Sequence, residues 1–177
     1  MHTIPHRRTT SGFTLLEVLI AIVVVAFGLL GLAGLQVFAL KNNQSASLRV
    51  TATNLTTDII DRMKANYIGV INSNYDKPLT SSYTTVVSGC TQATGCVPAD
   101  LASNDLREWQ QRVAATLPGG VGIVCLDKNP NDNSTPTASN CDGQGATSYV
   151  VKIWYYDDRT QANKAVNLKY MYTAFNP

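Results

Sequence analysis

Few residues in this chain of 177 could carry out chemistry, and their types limit what that chemistry could be. Both histidines, His2 and His6, lie in the first six residues. The rest of the chain therefore offers no imidazole for a general base, a catalytic triad or a metal ligand. It also contains no nucleophile elbow, phosphate-binding loop or paired-carboxylate motif. The sequence predicts a protein that is not an enzyme, with no catalytic residue, cofactor or metal site.

The four cysteines are Cys90, Cys96, Cys125 and Cys141, and all of them follow a long apolar segment. No Cys-x-x-Cys pair is present, and the compartment expected for this part of the chain is oxidising, so disulfides are favoured over zinc. Four cysteines allow three pairings, and we favour Cys90–Cys96 with Cys125–Cys141. The second bond would close a loop of 17 residues, which is worth about 3 kcal/mol in the chain-entropy description.

The loop between Cys125 and Cys141 is rich in oxygen donors. These donors are Asp127, Asn129, Asn131 and Asp132. A calcium loop of the EF-hand type needs glycine at its sixth position and glutamate at its twelfth. Here those positions hold Asp132 and Ala138, so we expect a solvated loop rather than a calcium site.

The last unusual group is an acid inside an apolar run. Placing Glu17 in a bilayer would cost about 2.5–3.5 kcal/mol on insertion scales. A cut after Gly12 would give Phe13 a new ammonium group, separated from Glu17 by four residues, or about 6 Å of helical rise. Such an ammonium could neutralise the Glu17 carboxylate of a neighbouring subunit.

The element that carries this acid fits a membrane helix. Val18 to Leu40 are 23 consecutive uncharged residues, which as a helix would reach about 35 Å across a hydrocarbon core of about 30 Å. Arg7 and Arg8 precede the span and place the N-terminus in the cytoplasm. An ordinary secretory signal has a shorter apolar core that precedes its cleavage site, and a plain membrane anchor leaves Glu17 unexplained.

The helix is expected to continue beyond the span with one apolar face. Its apolar stripe, at helical spacing, is Leu48, Ala52, Leu55, Ile59 and Met63. We expect one helix from Phe13 to about Asn66. Residues 67–99 are expected to form a connecting loop with a short strand at 82–87, because they are rich in polar residues and breakers.

A small head is predicted after this loop. Residues 100–117 have a helical stripe, with Asp100 or Ser103 as the cap, and three segments have strand composition. The strands are 121–126, 148–156 and 165–175. The fold class is therefore α+β, with a long N-terminal helix packed on a small antiparallel sheet.

The charge balance argues against nucleic-acid binding, and the aromatic residues are expected to pack in a core or an interface. There are 14 Lys and Arg against 12 Asp and Glu, too balanced for an electrostatic grip on nucleic acid. Removing the first 12 residues leaves 165 (177 − 12), with 12 basic (14 − 2) and 12 acidic side chains. The aromatic residues of the head are expected to be core or interface residues. They are Trp109, Trp154, Tyr155, Tyr156, Tyr170 and Tyr172.

The segment Gly12-Phe13-Thr14-Leu15-Leu16-Glu17, after a basic leader and before an apolar helix, strongly resembles the type IV prepilin signal. The resemblance implies that a membrane prepilin peptidase cuts after Gly12 and N-methylates Phe13. It also implies that Glu17 positions an incoming subunit against the N-terminus of its neighbour. The organisation that follows is a cleaved leader (1–12), a transmembrane and assembly helix (13–40), an amphipathic periplasmic half-helix (41–66) and a disulfide-stapled head (67–177).

Further segments resemble PilV-type minor pilins. They are GLLGLAGLQ (28–36), Arg49, DRMKAN (61–66), LREWQQRVAATLPGG (106–120), Cys125, Cys141-Asp142-Gly143 and SYVVKIWYYDDR (148–159). This resemblance implies the type IV pilin fold and a low-abundance subunit that primes pilus assembly in the bacterial inner membrane, sits at the pilus tip and supports twitching motility and adhesion. The implied partners are other minor pilins, the major pilin and the pilus platform proteins.

Two alternatives stay open from the sequence. A minor pseudopilin of a type II secretion system shares the N-terminal signal, although such heads are often smaller and lack this cysteine pattern. The head could also serve as a receptor for a ligand or surface carried on the pilus.

Overall fold

A computed structural model describes residues 12, 14–77, 88–91, 95–143, 145–157 and 168–176. The predicted strand at 82–87 therefore lies outside the described residues, as does Phe13. The chain divides into two compact units, Met1–Gln44 and Ser45–Pro177. Helix α1 (Leu15–Ala65) contributes to both, and it ends one residue before the predicted boundary at Asn66.

In the first unit, α1 is apolar around its whole circumference. Every residue from Leu15 to Leu40 is exposed in the isolated chain. This part of the helix is long and apolar enough to cross a membrane, and none of its most apolar stretch is buried. A helix that is apolar all round is stable only in lipid or against other apolar helices.

In the second unit, α1 buries one face. The predicted stripe is confirmed, because all five of its residues are buried: Leu48, Ala52, Leu55, Ile59 and Met63. They form one core with residues of helix α3 (Pro98–Thr116), among them Leu106, Trp109 and Val113.

The region after α1 differs from the expected loop. Helix α2 (Tyr67–Ile71) follows at once, because the Asn66 side chain accepts a hydrogen bond from the Gly69 backbone N–H and begins a new turn. A short 3₁₀ helix covers Ser88–Thr91. Asparagine is a good cap, so the signal for α2 was present in the sequence at Asn66.

Helix α3 begins two residues earlier than predicted. Its N-cap is Val97, followed by Pro98 at the first helical position, and no side chain caps it. Proline is suited to that position because its missing N–H has no helical partner there and its φ is already helical. Asp100 and Ser103 therefore lie inside the helix, and the predicted side-chain cap is wrong.

The sheet contains three antiparallel strands in the order β1-β2-β3. These strands are β1 (Val121–Leu126), β2 (Tyr149–Tyr156) and β3 (Leu168–Phe175). They correspond to the three predicted segments, and β2 lies in the middle. The α+β fold class, with a long helix and a small antiparallel sheet, is confirmed.

Strand β2 is buried on both faces. Tyr149, Val151, Ile153 and Tyr155 join the core formed by the helices. On the other face, Trp154 packs with Ile123 and Cys125 in a second, smaller cluster. The run after Leu126 covers this outer face, because Trp154 Nε1 donates to the Ser134 carbonyl at 2.9 Å.

Helix and sheet meet at a glycine. A Cβ atom on Gly122 would lie 2.5 Å from the ring of Trp109, closer than real Cβ contacts allow. Trp109 is fully buried, and its Nε1 donates to the Leu55 carbonyl of α1 at 2.8 Å. Glycine in β1 therefore lets α3 lie flat on the sheet while its tryptophan reaches the first helix.

Candidate functional site: the capped N-terminal turn and the disulfide-closed loop

The first turn of α1 is closed by Thr14. The backbone N–H of Glu17 donates to Thr14 Oγ1 at 3.3 Å and to the Thr14 carbonyl at 3.1 Å. Threonine followed three residues later by glutamate is the spacing of a capping box, in which the hydroxyl accepts from the third helical N–H. Glu17 therefore has a local role in addition to the one predicted. An acid in the first turn is favoured by the partial positive charge at the helix N-terminus.

The predicted cut site lies directly before this turn. Gly12 is exposed, and a Cβ built on it would meet no atom within 4 Å. Phe13, the predicted methylation site, lies outside the described residues, so Gly12 is the one residue of the predicted scissile bond that the structure describes.

Glu17 stands at one end of an apolar helix face. The lining of that face is Glu17, Val18, Ala21, Ile22, Val25, Ala26 and Leu29. Two small residues, Ala21 and Ala26, lie among the branched ones, a composition that allows close approach of another helix in lipid. The carboxylate is the single acid of this face.

In the head, the structure forms the two favoured disulfides, Cys90–Cys96 and Cys125–Cys141, and no described cysteine is free. The second bond ties β1 to the end of the loop that covers the outer face of the sheet. Cys125, Asp127 and Cys141 lie close enough to resemble a metal cluster. Both sulfurs are in the disulfide, however, so this group offers no thiolate ligand.

The loop itself is less solvated than predicted. Asp127 and Ser134 are buried, and Tyr170 donates its hydroxyl hydrogen to the Pro130 carbonyl at 2.7 Å. Beneath the loop lies Lys152, a fully buried residue of β2. Its Nζ is 2.5 Å from Asp127 Oδ2. The loop is thus solvated along part of its length, because Lys128, Asn129 and Asn131 are exposed, while Asp127 and Ser134 face the sheet and are buried.

Lys152 is the residue of this site that the sequence did not reveal. A lysine between the apolar Val151 and Ile153 is typical of a solvent-facing position in a sheet that packs only one face on the core. The available signal was the long disulfide-closed loop next to β2, which could shield that face.

Aromatic residues pack beside the loop. The rings of Trp154 and Tyr170 are stacked, with centroids 5.4 Å apart and an angle of 15° between their planes. Burial, opposed by a hydrogen bond from Ser134 and assisted by Asp132, raises the pKa of Tyr170 to about 12. Tyr172 is partly exposed. Of the aromatic residues expected in the core or at an interface, Trp109, Trp154 and Tyr155 are buried in the core.

A polar network fastens the end of α1 to α3. Tyr75 donates to Asp105 Oδ2 at 2.6 Å, and Asn66 Nδ2 donates to the Tyr75 hydroxyl oxygen at 3.1 Å. Arg62 reaches Asp105 Oδ1 at 3.0 Å and Glu108 Oε2 at 3.0 Å. Burial, with the neighbouring Asp105 carboxylate, raises the pKa of Tyr75 well above its ordinary value, so Tyr75 acts as a neutral donor.

One polar cleft of about 350 Å³ lies in the head. Its described lining is Ser45, Arg49, Tyr155, Lys169, Tyr170 and Met171. Lys169 is already paired with Asp157, at 3.5 Å between charged atoms. The lining contains no imidazole, thiol or carboxylate, so the described residues do not assemble a catalytic group there.

The N-terminal turn, the apolar helix and the small disulfide-bonded head together define a membrane-anchored α+β subunit. Comparison with protein families identifies two adjoining regions. The prokaryotic N-terminal methylation motif matches residues 7–33. The family described as type IV pilin Tt1218 matches residues 34–107. The chain thus carries the leader motif and the domain of a type IV pilin, and its fold is the α+β fold of that family.

No curated protein and no solved structure matches the chain significantly. The similarity to known proteins therefore rests on the two family matches. The leader motif implies processing by a prepilin peptidase and assembly with other pilus components. The matched pilin family is structural rather than enzymatic.

Proposed function

We propose that this protein is a minor pilin of the PilV type that helps prime type IV pilus assembly at the inner membrane and sits at the pilus tip. The observation that carries the proposal is the N-terminal segment. It combines a methylation motif over residues 7–33 with an acid in the capped first turn of an apolar helix.

In this proposal the leader is cut after Gly12 and the new terminal Phe13 is methylated. The Phe13 ammonium of one subunit then meets the Glu17 carboxylate of another. Two charges that are each costly in lipid become one pair, which lowers the cost of burying both. The apolar faces that begin at Glu17 supply the remaining helix-to-helix contact.

The proposed orientation follows from Arg7 and Arg8, which keep the N-terminus cytoplasmic and leave the head in the periplasm. The oxidising periplasm suits the two disulfides. Prepilin peptidase, other minor pilins, the major pilin and the platform proteins are the proposed partners. The role of the head is structural, in pilus biogenesis, twitching motility and adhesion, and not catalytic.

The test is deletion of the gene in the source bacterium, followed by complementation with wild-type, Glu17→Ala and Glu17→Gln chains. We expect deletion to reduce surface pili and twitching, and the wild-type chain to restore both. Glutamine at the third helical position can still serve a capping box, but it removes the charge. Both variants should therefore insert and be processed, yet fail to co-purify with other pilins.

Several results would contradict the proposal. Normal co-purification of the Glu17→Gln chain would remove the proposed role of the charge. A defect confined to secreted enzymes, with normal pili, would favour the pseudopilin alternative. Mass spectrometry of a mature chain that still begins at Met1 would overturn the processing step.

A further inference from the structure

The outer face of the sheet contains a complete, buried ion pair that the pilin assignment does not use. Lys152 is 0 % exposed, and the side chain of Asp127 is 1 % exposed. Their charged atoms are 2.5 Å apart. Taking two such groups out of water is costly unless each is well compensated, so the surroundings of the ammonium need an explanation.

Three oxygens surround the Lys152 ammonium. It lies 2.5 Å from Asp127 Oδ2 and 3.9 Å from Asp132 Oδ1, and it donates to the Ser139 carbonyl at 2.7 Å. All three come from the single loop closed by the Cys125–Cys141 disulfide. The loop therefore folds around one positive charge.

The composition of this shell is that of a hard-cation site. Two carboxylates and a backbone carbonyl are the oxygen ligands that Ca²⁺ takes in proteins. Zinc would be favoured by thiolate or imidazole ligands, but the two nearby cysteines are joined to each other. The two carboxylates carry two negative charges against the single positive charge of Lys152.

We propose that Lys152 is the resident cation of the 127–139 loop, occupying with its ammonium the place that a divalent ion would otherwise fill. Removing the ammonium leaves an oxygen-lined site of the Ca²⁺ class. The wild-type head consequently holds its loop without metal. This inference is independent of the pilus assignment, since it uses only contacts within the head.

The experiment uses the full chain in detergent micelles and compares wild type with Lys152→Ala, which removes both charge and bulk. Lys169→Ala is the matched control, because this lysine lies on the neighbouring strand and pairs with Asp157 but is 49 % exposed. Thermal unfolding of the head is followed by tryptophan fluorescence in chelator and in excess Ca²⁺. We expect Ca²⁺ to raise the Tm of Lys152→Ala by several degrees and to leave the other two unchanged.

A second measurement titrates each chain with Tb³⁺, a luminescent substitute for Ca²⁺. Trp154 donates to the Ser134 carbonyl within the loop, so it is placed to sensitise a bound Tb³⁺. Emission is expected for Lys152→Ala and at least tenfold less for wild type. Adding Asp127→Asn to Lys152→Ala should abolish the emission, because it removes the closest carboxylate.

Three results would overturn the proposal. One is a Lys152→Ala chain whose Tm and Tb³⁺ emission do not respond to the cations. Another is a wild-type chain that responds as strongly as the variant. The third is a Lys152→Ala chain that stays unfolded in Ca²⁺ as well as in chelator, since the ion would then fail to replace the ammonium.

Discussion

Lys152 shows how the surroundings of a single side chain can differ from what its strand pattern indicates. The alternation along β2 places it opposite the helical core, where a lysine normally meets solvent. In the fold, the loop from Asp127 to Ser139 covers that side and supplies the carboxylates of Asp127 and Asp132 and the carbonyl of Ser139 around the ammonium. The apolar residues of β2 were predictable from composition, but the shielding comes from the loop that the Cys125–Cys141 disulfide closes and could not be read from β2 alone.

The ion pair can be tested by changing one or both partners. Lys152→Met should lower the free energy of unfolding of the head by about 3–5 kcal/mol, because it strands a buried carboxylate. The double variant Lys152→Met, Asp127→Leu should recover most of that loss, since an apolar pair of similar volume is often neutral or stabilising. Urea unfolding monitored by tryptophan fluorescence measures both.

A double variant as unstable as the single one would contradict this account. It would mean that the loop needs Asp127 for another reason, such as the hydrogen bond that its Oδ1 accepts from the Asn129 backbone N–H at 2.9 Å.

At the scale of the elements, the apolar contact between α1 and α3 was predictable and the polar one was not. The helical stripes of both helices follow from periodicity, and all their members are buried. The links from Arg62 to Asp105 and Glu108 bridge residues more than forty positions apart. No local pattern specifies such pairs, because they depend on how the two helices lie against each other.

This contact predicts a pH dependence. The hydrogen bond from Arg62, opposed by burial and assisted by Asn104, holds the pKa of Glu108 below its ordinary value of 4.5. A carboxyl whose pKa is lower in the folded state contributes stability above its unfolded pKa and loses it as the pH falls through its folded pKa. Glu108→Gln should therefore flatten the loss of stability below about pH 4.5.

The effect should be small, within about 1 kcal/mol, because the Glu108 side chain is 39 % exposed and solvent screens the pair. Asp61→Asn is the control, since this acid is 64 % exposed and pairs only with Lys64 among the described residues. Tm measured from pH 7 down to pH 3 distinguishes the variants. Equal acid dependence in wild type and Glu108→Gln would count against the assignment.

At the scale of the whole molecule, the sequence predicts the two parts of the chain well. An apolar helix and a disulfide-bonded α+β head follow from hydropathy, cysteine positions and strand composition, and the leader motif adds the family. What it could not supply was the second layer over the sheet. Covering β2 requires the loop after Leu126 to fold back, and a run of asparagine, proline and serine has no periodicity to indicate that.

The two disulfides should contribute unequally to the stability of the head. The Cys125–Cys141 bond spans a separation of 16 residues and Cys90–Cys96 spans 6. Longer loops lose more chain entropy on closure, so replacing the first pair by alanine should cost about 3 kcal/mol and the second about 2 kcal/mol. Because Cys125 is buried beside Trp154, the first replacement should also loosen the covering layer.

Chemical denaturation of the two double-alanine chains measures this difference, and thiol labelling without reduction confirms that neither retains a free cysteine. A larger loss of stability on replacing Cys90 and Cys96 would contradict this prediction. It would mean that the head depends more on the bond at the 3₁₀ helix than on the bond that closes the loop over the sheet.

The Thr14 hydroxyl bears on what the proposed leader cleavage would do to the first turn of α1. The residue that closes the first turn lies on the retained side of the proposed cut after Gly12, so the hydrogen bonds from the Glu17 N–H to Thr14 would stay in the trimmed chain. Under the proposed cut, the new amine would belong to the residue before Thr14, which closes the first turn. That end of the helix repels positive charge, and the Glu17 carboxylate lies within the same turn to offset the repulsion.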